Sequence, residues 1–273
     1  MKQAFILTAT ARGPMIVNRF DYLSDVEDPA RAAGCGVEFL ETGHYQQDEA
    51  DLAAGILDLR RKYNGPGVIA IDGGANIGAF TVDWSKGMAY YGQIIAIEPQ
   101  ERIFYALAGN VTLNNCINAV CIHAAISDTN GVIDMPVPNY EAPGNFGGVS
   151  YLNAHNGSGQ NIKDTAPVRC LTIDSLDLAR CDFIKFDLEG MEMKALAGAE
   201  ETIRACNPVL FVEHHYSGMD NIMSFIEPFD YKVFRFGMNL VCVHRLDKCL
   251  DHISQLHRAL LRQNIQAEVM HLT

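Results

Sequence analysis

From Gly67 onward, short runs of β-branched and apolar residues alternate with stretches of helical period. This rhythm predicts a parallel sheet with helices on both faces. The first run is Val68-Ile69-Ala70-Ile71, closed by Asp72 and followed by glycines. A helix is predicted over 77–86, and the second run, Ile94-Ile95-Ala96-Ile97, ends at Glu98-Pro99. A helix over 101–114 leads to a third strand over 119–123. The pattern returns with Phe183-Ile184-Lys185-Phe186-Asp187, a helix over 191–206, and a strand over 209–212 that runs into Glu213-His214-His215. Strand-like runs at 231–236 and 240–244 are separated only by Gly237-Met238-Asn239, and so short a connection joins only antiparallel neighbours.

The flanks and one internal segment depart from this rhythm. Residues 1–64 show a helical pattern over 49–62 and little else, and are expected to form an N-terminal extension or cap. Residues 128–172 hold strand-like runs at 131–137 and 168–173, with a stretch rich in Gly, Asn and Pro between them; an inserted loop over the site is expected. Within it, Gly144-Asn145-Phe146-Gly147-Gly148-Val149-Ser150 offers backbone and small polar groups beside an aromatic ring, as an acceptor lid or a surface loop shaped by its glycines. Residues 247–263 read as an amphipathic helix, a packing or homodimer element in a tail over 247–273. The expected organisation is therefore an extension over 1–64, an α/β core over 65–246 and the helical tail.

Composition narrows the classes. The chain has 273 residues, with 21 Lys and Arg against 33 Asp and Glu, a net charge of −12. A protein that tracks nucleic-acid phosphates draws its affinity from clustered cations, so nucleic acid is not expected as a partner. Eight cysteines form no CxxC pair and no zinc-finger spacing, and Cys121, Cys170 and Cys242 sit in apolar runs as small hydrophobes would in a reducing compartment. No run approaches the ~18 apolar residues of a membrane span, and the apolar run after Lys2 is too short for a signal peptide. A cytoplasmic protein with no membrane partner is expected.

Asp72-Gly73-Gly74-Ala75-Asn76-Ile77-Gly78 lies between a strand and a helix, the context in which a glycine loop points to a nucleotide-type ligand. Ala75 replaces the middle glycine that lets backbone approach a pyrophosphate. Asn76 and free backbone groups can instead bond a zwitterionic ligand such as S-adenosylmethionine. Glu98, at the end of the next strand, is spaced to meet a ribose diol. NAD would use the same acid, so an NAD-dependent oxidoreductase stays open, as does a noncatalytic module that binds an adenosyl ligand.

Ile71-Asp72-Gly73-Gly74-Ala75-Asn76-Ile77-Gly78-Ala79-Phe80-Thr81 resembles the DVGANIGxxT signature of FkbM-type methyltransferases, with Gly73 where Val is usual. Further landmarks follow in order: Ala96-Ile97-Glu98-Pro99, Asn110 and Asn114, Ala124-Ala125-Ile126-Ser127-Asp128 and Thr172-Ile173-Asp174-Ser175-Leu176. Ile184-Lys185-Phe186-Asp187-Leu188-Glu189-Gly190 is similar to the family's KIDxEG, Leu196-Ala197-Gly198-Ala199 to its LxGA, and Pro208 to Glu213 to its PxxxxE. The resemblance covers roughly 43–246. It implies a Rossmann-like class I methyltransferase with a seven-stranded sheet, mostly parallel, whose last hairpin is antiparallel. It also implies that Asp72, Gly74, Asn76 and Gly78 hold the methionyl part of S-adenosylmethionine, Glu98 the ribose, and Ala125, Ser127 and Asp128 the adenine, with Asp187 beside the cofactor. The acceptor implied is a hydroxyl of a sugar, glycan or polyketide-like metabolite.

Ligands of an open α/β sheet sit beyond the carboxyl ends of its strands, where Asp187, Glu189, Glu213, His214 and His215 converge. Methyl transfer to an alcohol needs in-line alignment and removal of a proton. Three arrangements are open: His214 or His215 as base with Asp187 orienting it, a divalent ion held by Asp187 and Glu213, or positioning with solvent as base. Adjacent strand residues point to opposite faces, so only one histidine can face the acceptor, with His214 the favoured one.

Overall fold

Unbroken apolar runs form the central strands because both faces of the sheet are buried. The computed structural model describes residues 3–24, 32–150 and 157–270. Seven strands make this sheet: β1 (Val68–Gly73), β2 (Gly92–Glu98), β3 (Ala119–His123), β4 (Phe183–Phe186), β5 (Val209–Glu213), β6 (Tyr231–Phe236) and β7 (Asn239–His244). Their spatial order is β6-β7-β5-β4-β1-β2-β3. Every neighbouring pair is parallel except the two that β7 makes, with β5 and with β6. This is the Rossmann-like sheet with a terminal antiparallel hairpin that the sequence predicts. The hairpin turn is tighter than expected, because Asn239 pairs within β7 and leaves only Gly237 and Met238 outside the strands.

Alternation along each strand divides the core. Val68 and Ala70 of β1, with Val209 and Phe211 of β5, face the helices Gln47–Asn64 and Ala79–Gly87, where Ile56, Leu57 and Trp84 are buried. Ile71 of β1, with Leu210 and Val212 of β5, faces the helices Glu192–Ala197, Glu200–Cys206 and Met219–Ile226. At the amino edge of the sheet, Asp182 accepts from the Ile69 amide at 3.0 Å and pairs with Arg60 and Arg180. That buried charge is a fold element on the side away from the ligand edge.

Three expectations are sharpened. The helix expected over 191–206 is split at Gly198, where a Cβ would lie 2.1 Å from the Ser127 carbonyl oxygen. The second half starts afresh, with the Asp174 carboxylate accepting from the amides of Glu201 and Thr202 at 3.1 and 2.8 Å. In the inserted segment, the two strand-like runs expected at 131–137 and 168–173 are strands that pair into a small sheet. Gly131–Pro136 runs antiparallel to Thr165–Leu171, which also pairs in parallel with Ala125–Ile126. The N-terminal extension holds more than one helix: Phe5–Thr10 and Gly13–Asn18 form a hairpin, and a helix spans Cys35–Thr42.

That hairpin docks on the helix Glu101–Leu113 through asparagine. Asn110 accepts from the Ile16 amide at 2.5 Å and donates to the Ile16 carbonyl at 3.0 Å, as a neighbouring strand would. Asn114 donates to the Pro14 carbonyl at 2.8 Å. The tail forms the helix Leu250–Met270, and no helix among the described residues is long and apolar enough to cross a membrane.

Candidate active site

The strand order reverses between β1 and β4, and a cavity of about 880 Å³, its open mouth included, lies beyond the carboxyl ends of β1, β2 and β4. The β1 loop forms its floor. Amides of Gly74 and Ala75 both donate to the Ile97 carbonyl at 3.0 Å, which ties the loop to β2. Gly74 has φ +72° and a Cβ there would lie 1.9 Å from the Asp187 carbonyl oxygen, so only glycine lets the loop lie against β4. The Asn76 amide donates to Glu98 Oε2 at 2.9 Å, and the Gln100 amide to Glu98 Oε1 at 2.8 Å. Burial nevertheless pushes the Glu98 carboxyl up to about 7 against these two bonds. Each of its oxygens keeps a lone pair for a ligand hydroxyl. Ala125, Ile126, Ile133 and Met135 supply apolar wall, and Asn76, Glu98 and Gln100 supply polar wall.

Beside this cavity three carboxylates meet. Asp187 follows β4, Glu189 lies two residues on, and Glu213 ends β5; one oxygen from each lies within 4.8 Å of the others. Burial, then repulsion by Asp187 and Glu213, raises the Glu189 carboxyl to about 9. Burial, then Asp187 and Glu192, raises Glu213 to about 8. The counter-charge is Lys185, 3.0 Å from Asp187 Oδ2. Burial works to lower that ammonium, but Asp187 and Asp72 outweigh it and hold it above the usual lysine range. Glu189 sits at φ +52° in a turn fixed by Glu192, whose Oε1 accepts from the amides of Leu188 and Gly190 at 2.8 and 3.2 Å. As oxygen donors the three acids suit a hard divalent cation. Lys185 already engages Asp187 Oδ2, and burial with repulsion by Asp187 raises the Glu189 and Glu213 carboxyls above the usual carboxylate range.

The methyltransferase FkbM domain matches residues 72–233. The chain belongs to this family. The match begins at Asp72, takes in the β1 loop and the acidic cluster, and ends within β6. No curated protein matches the chain. Among solved structures, a methyltransferase FkbM from Methylobacillus flagellatus is 18% identical with a TM-score of 0.47, over 64% of this chain and 43% of that one. A precorrin-6y C5,15-methyltransferase from Geobacter metallireducens is 13% identical with a TM-score of 0.43, over 72% and 86%. The M. jannaschii protein TYW2, solved in complex with AdoMet, is 12% identical with a TM-score of 0.42, over 89% and 85%. The chain thus spans less than half the length of the first of these.

In this FkbM domain, Gly74, Asn76, Glu98, Ala125 and Asp187 all line the cavity. Asp72, Gly78, Ser127 and Asp128 do not. Asp72 is wholly buried beneath the loop, with Oδ2 accepting from Thr81 at 2.5 Å and Oδ1 without a hydrogen-bond partner. Gly78 faces Leu107 at the start of the helix Ala79–Gly87. Ser127 turns to donate to Asp128 at 3.0 Å, and Asp128 is exposed. Neither histidine reaches the wall: His215 is exposed with its ring 4.5 Å from that of Tyr216, and His214 keeps a buried Nε2 that no group bonds. Sequence reasoning missed Tyr45, Gln100, Ile133 and Met135 on the wall. Period-2 spacing in the run at 131–137 pointed to the last two, whereas no local pattern singled out Tyr45.

Glu98→Gln tests the ribose reading, since glutamine keeps the shape but sets an NH2 against one of the two amides. The affinity for S-adenosylhomocysteine is expected to fall by about 1–3 kcal/mol by calorimetry. An unchanged dissociation constant would leave Glu98 as a brace for the loop alone.

Proposed function

We propose that this FkbM domain is an S-adenosylmethionine-dependent O-methyltransferase acting on a hydroxyl of a sugar, glycan or polyketide-like metabolite. The carrying observation is the acid cluster at the cavity, where Glu189 is on the wall and an oxygen of Glu213 lies within 4.8 Å of it, and where burial and repulsion raise the two carboxyls to about 9 and 8. An alcohol gives up its proton as its oxygen attacks, and a base is most effective when its pKa lies near the working pH. An ordinary carboxylate is too weak for this; these two are not. The cavity fits an adenosyl ligand, with an apolar slot at Ala125, Ile126 and Met135, a carboxylate for the diol at Glu98, and Gly74 and Asn76 for the methionyl part. When bound, the cofactor supplies a sulfonium methyl to the attacking oxygen and departs as S-adenosylhomocysteine. Glu189, which lines the cavity together with Asp187 and Leu188, takes the proton in this reading, with Glu213 beside it and Lys185 balancing Asp187. A histidine base is not part of it, because His214 and His215 lie off the wall. A divalent ion would share Asp187 with Lys185, which engages only Oδ2.

Calorimetry with S-adenosylmethionine, S-adenosylhomocysteine and NAD tests the cofactor. Micromolar binding of the first two and none of NAD is expected, because Ala75 stands where a pyrophosphate needs glycine. NAD binding with no heat from the other two would replace this reading by the oxidoreductase one.

A further inference from the structure

The N-terminal segment lies outside the matched 72–233 region, yet it reaches the site twice. Tyr45 lines the cavity, its ring 6.4 Å from that of Phe80. Asp21, 2% exposed, spends both carboxylate oxygens on backbone: Oδ2 accepts from the Gly36 amide and Oδ1 from the Phe146 amide, each at 2.9 Å. Two more bonds run alongside, the Gly144 amide to the Phe20 carbonyl at 3.1 Å and the Asn18 side chain to the Tyr140 carbonyl at 2.9 Å. Loop 144–150 is therefore held from the N-terminal side.

The far side of that loop is cavity wall. Gly147 and Val149 line it, and a Cβ on Gly147 would lie 3.2 Å from Asn76 Nδ2, the side chain of the β1 loop. Gln100 donates to the Phe146 carbonyl at 2.7 Å, next to Glu98. Ser150 donates to the Glu189 carbonyl at 2.6 Å. One buried carboxylate thus fixes a loop that touches the cofactor loop, the residue beside the ribose acid and the backbone of the candidate base.

We propose that Asp21 is a positioning residue for the cofactor: it latches loop 144–150 as a wall of the cavity, which makes the N-terminal segment part of the active site. This rests on the methyltransferase reading for the identity of the ligand, and on the geometry alone for the latch. Burying a carboxylate costs several kcal/mol unless its oxygens are bonded, and a surface connection needs no such group. Here both oxygens are used, Oδ2 on Gly36 within the segment and Oδ1 on Phe146 of the loop, so the one carboxylate ties the two together.

Hydrogen exchange and calorimetry together test it. In the wild type without ligand, the Phe146 amide is expected to exchange slowly, and Asp21→Ala to release it. Losing a hydrogen bond to a charged group corresponds to a rise of about 10–100-fold in the dissociation constant for S-adenosylhomocysteine. Asp21→Asn, whose Oδ1 still accepts from one amide, is expected to recover part of both effects. If Asp21→Ala does not fold, Asp21→Asn and wild-type exchange decide. A Phe146 amide that exchanges as fast as exposed loop in the wild type would overturn the latch, as would wild-type affinity in a folded Asp21 variant. Wild-type protein that binds no S-adenosylhomocysteine while Phe146 stays protected would instead overturn the methyltransferase reading.

Discussion

Glu189→Gln is expected to lower methyl-transfer turnover by about 10²–10⁴-fold, the range for a general base, while leaving the affinity for S-adenosylhomocysteine unchanged and making the ligand-free protein more stable at alkaline pH. The stability arm follows from linkage. Glu189 is raised from 4.5 to about 9 in the folded protein, so between these values folding retains a proton that the unfolded chain has lost. Its contribution is complete below the unfolded value and is lost as pH rises toward the folded one. Glutamine cannot ionise and escapes that loss. The melting temperature of the variant should therefore draw ahead of wild type from pH 5 to pH 9, by about 2–4 °C for each kcal/mol recovered. Wild-type turnover should rise with pH along a limb near 8–9, and the limb belongs to the interacting carboxyls as a set. His214→Ala and His215→Ala should leave turnover near normal. Scanning calorimetry and a pH–rate profile with a panel of hydroxylated acceptors check each part. If Glu189→Gln keeps wild-type turnover and follows the wild-type stability curve, Glu189 is an ordinary solvated acid.

Gly74→Ala should remove cofactor binding and destabilise the fold together. A non-glycine residue at φ +72° costs about 1–3 kcal/mol in backbone conformation. The clash adds to this, since a methyl 1.9 Å from the Asp187 carbonyl oxygen forces the β1 loop and the turn after β4 apart. Displacement of that kind, near 1 Å, corresponds to about a 10²-fold loss where alignment matters. Gly55→Ala is the control. It lies in the helix Gln47–Asn64 with nothing within 4 Å of its Cβ position, and alanine there should stabilise by about 0.5–1 kcal/mol. Urea denaturation and calorimetry measure both variants. A Gly74→Ala protein with wild-type midpoint and wild-type affinity would show that the two loops can separate without consequence.

The central sheet was legible because burial on both faces leaves apolar runs, and β3 falls on the residues expected for it, Ala119–His123. What escaped was set by contacts far apart in the chain. The break at Gly198 is imposed by the Ser127 carbonyl, and the N-terminal hairpin finds its partner in Asn110. For the site, strand-end logic brought Asp187 and Glu213 to one edge. It could not rank Glu189 above the histidines, because that depends on the turn that Glu192 locks and on where the chain goes after β5. In the stretch that the resemblance assigns to adenine, Ala124, Ala125 and Ile126 line the cavity, whereas Ser127 and Asp128 do not.

The asparagine and aspartate anchors also set an order of events as the chain leaves the ribosome. Ile16 meets Asn110 across 94 residues of sequence, and Asp21 meets the Phe146 amide across 125. At about 5–20 residues per second, the hairpin waits on the order of 5–20 s for Asn110 to be made, and longer for Phe146. Through that interval Met15 and Val17, fully buried in the finished protein, lack the cover of Ala106, Leu107 and Val111. The hairpin is thus sealed late, and loop 144–150 gains its bond to Asp21 only once Phe146 has been made.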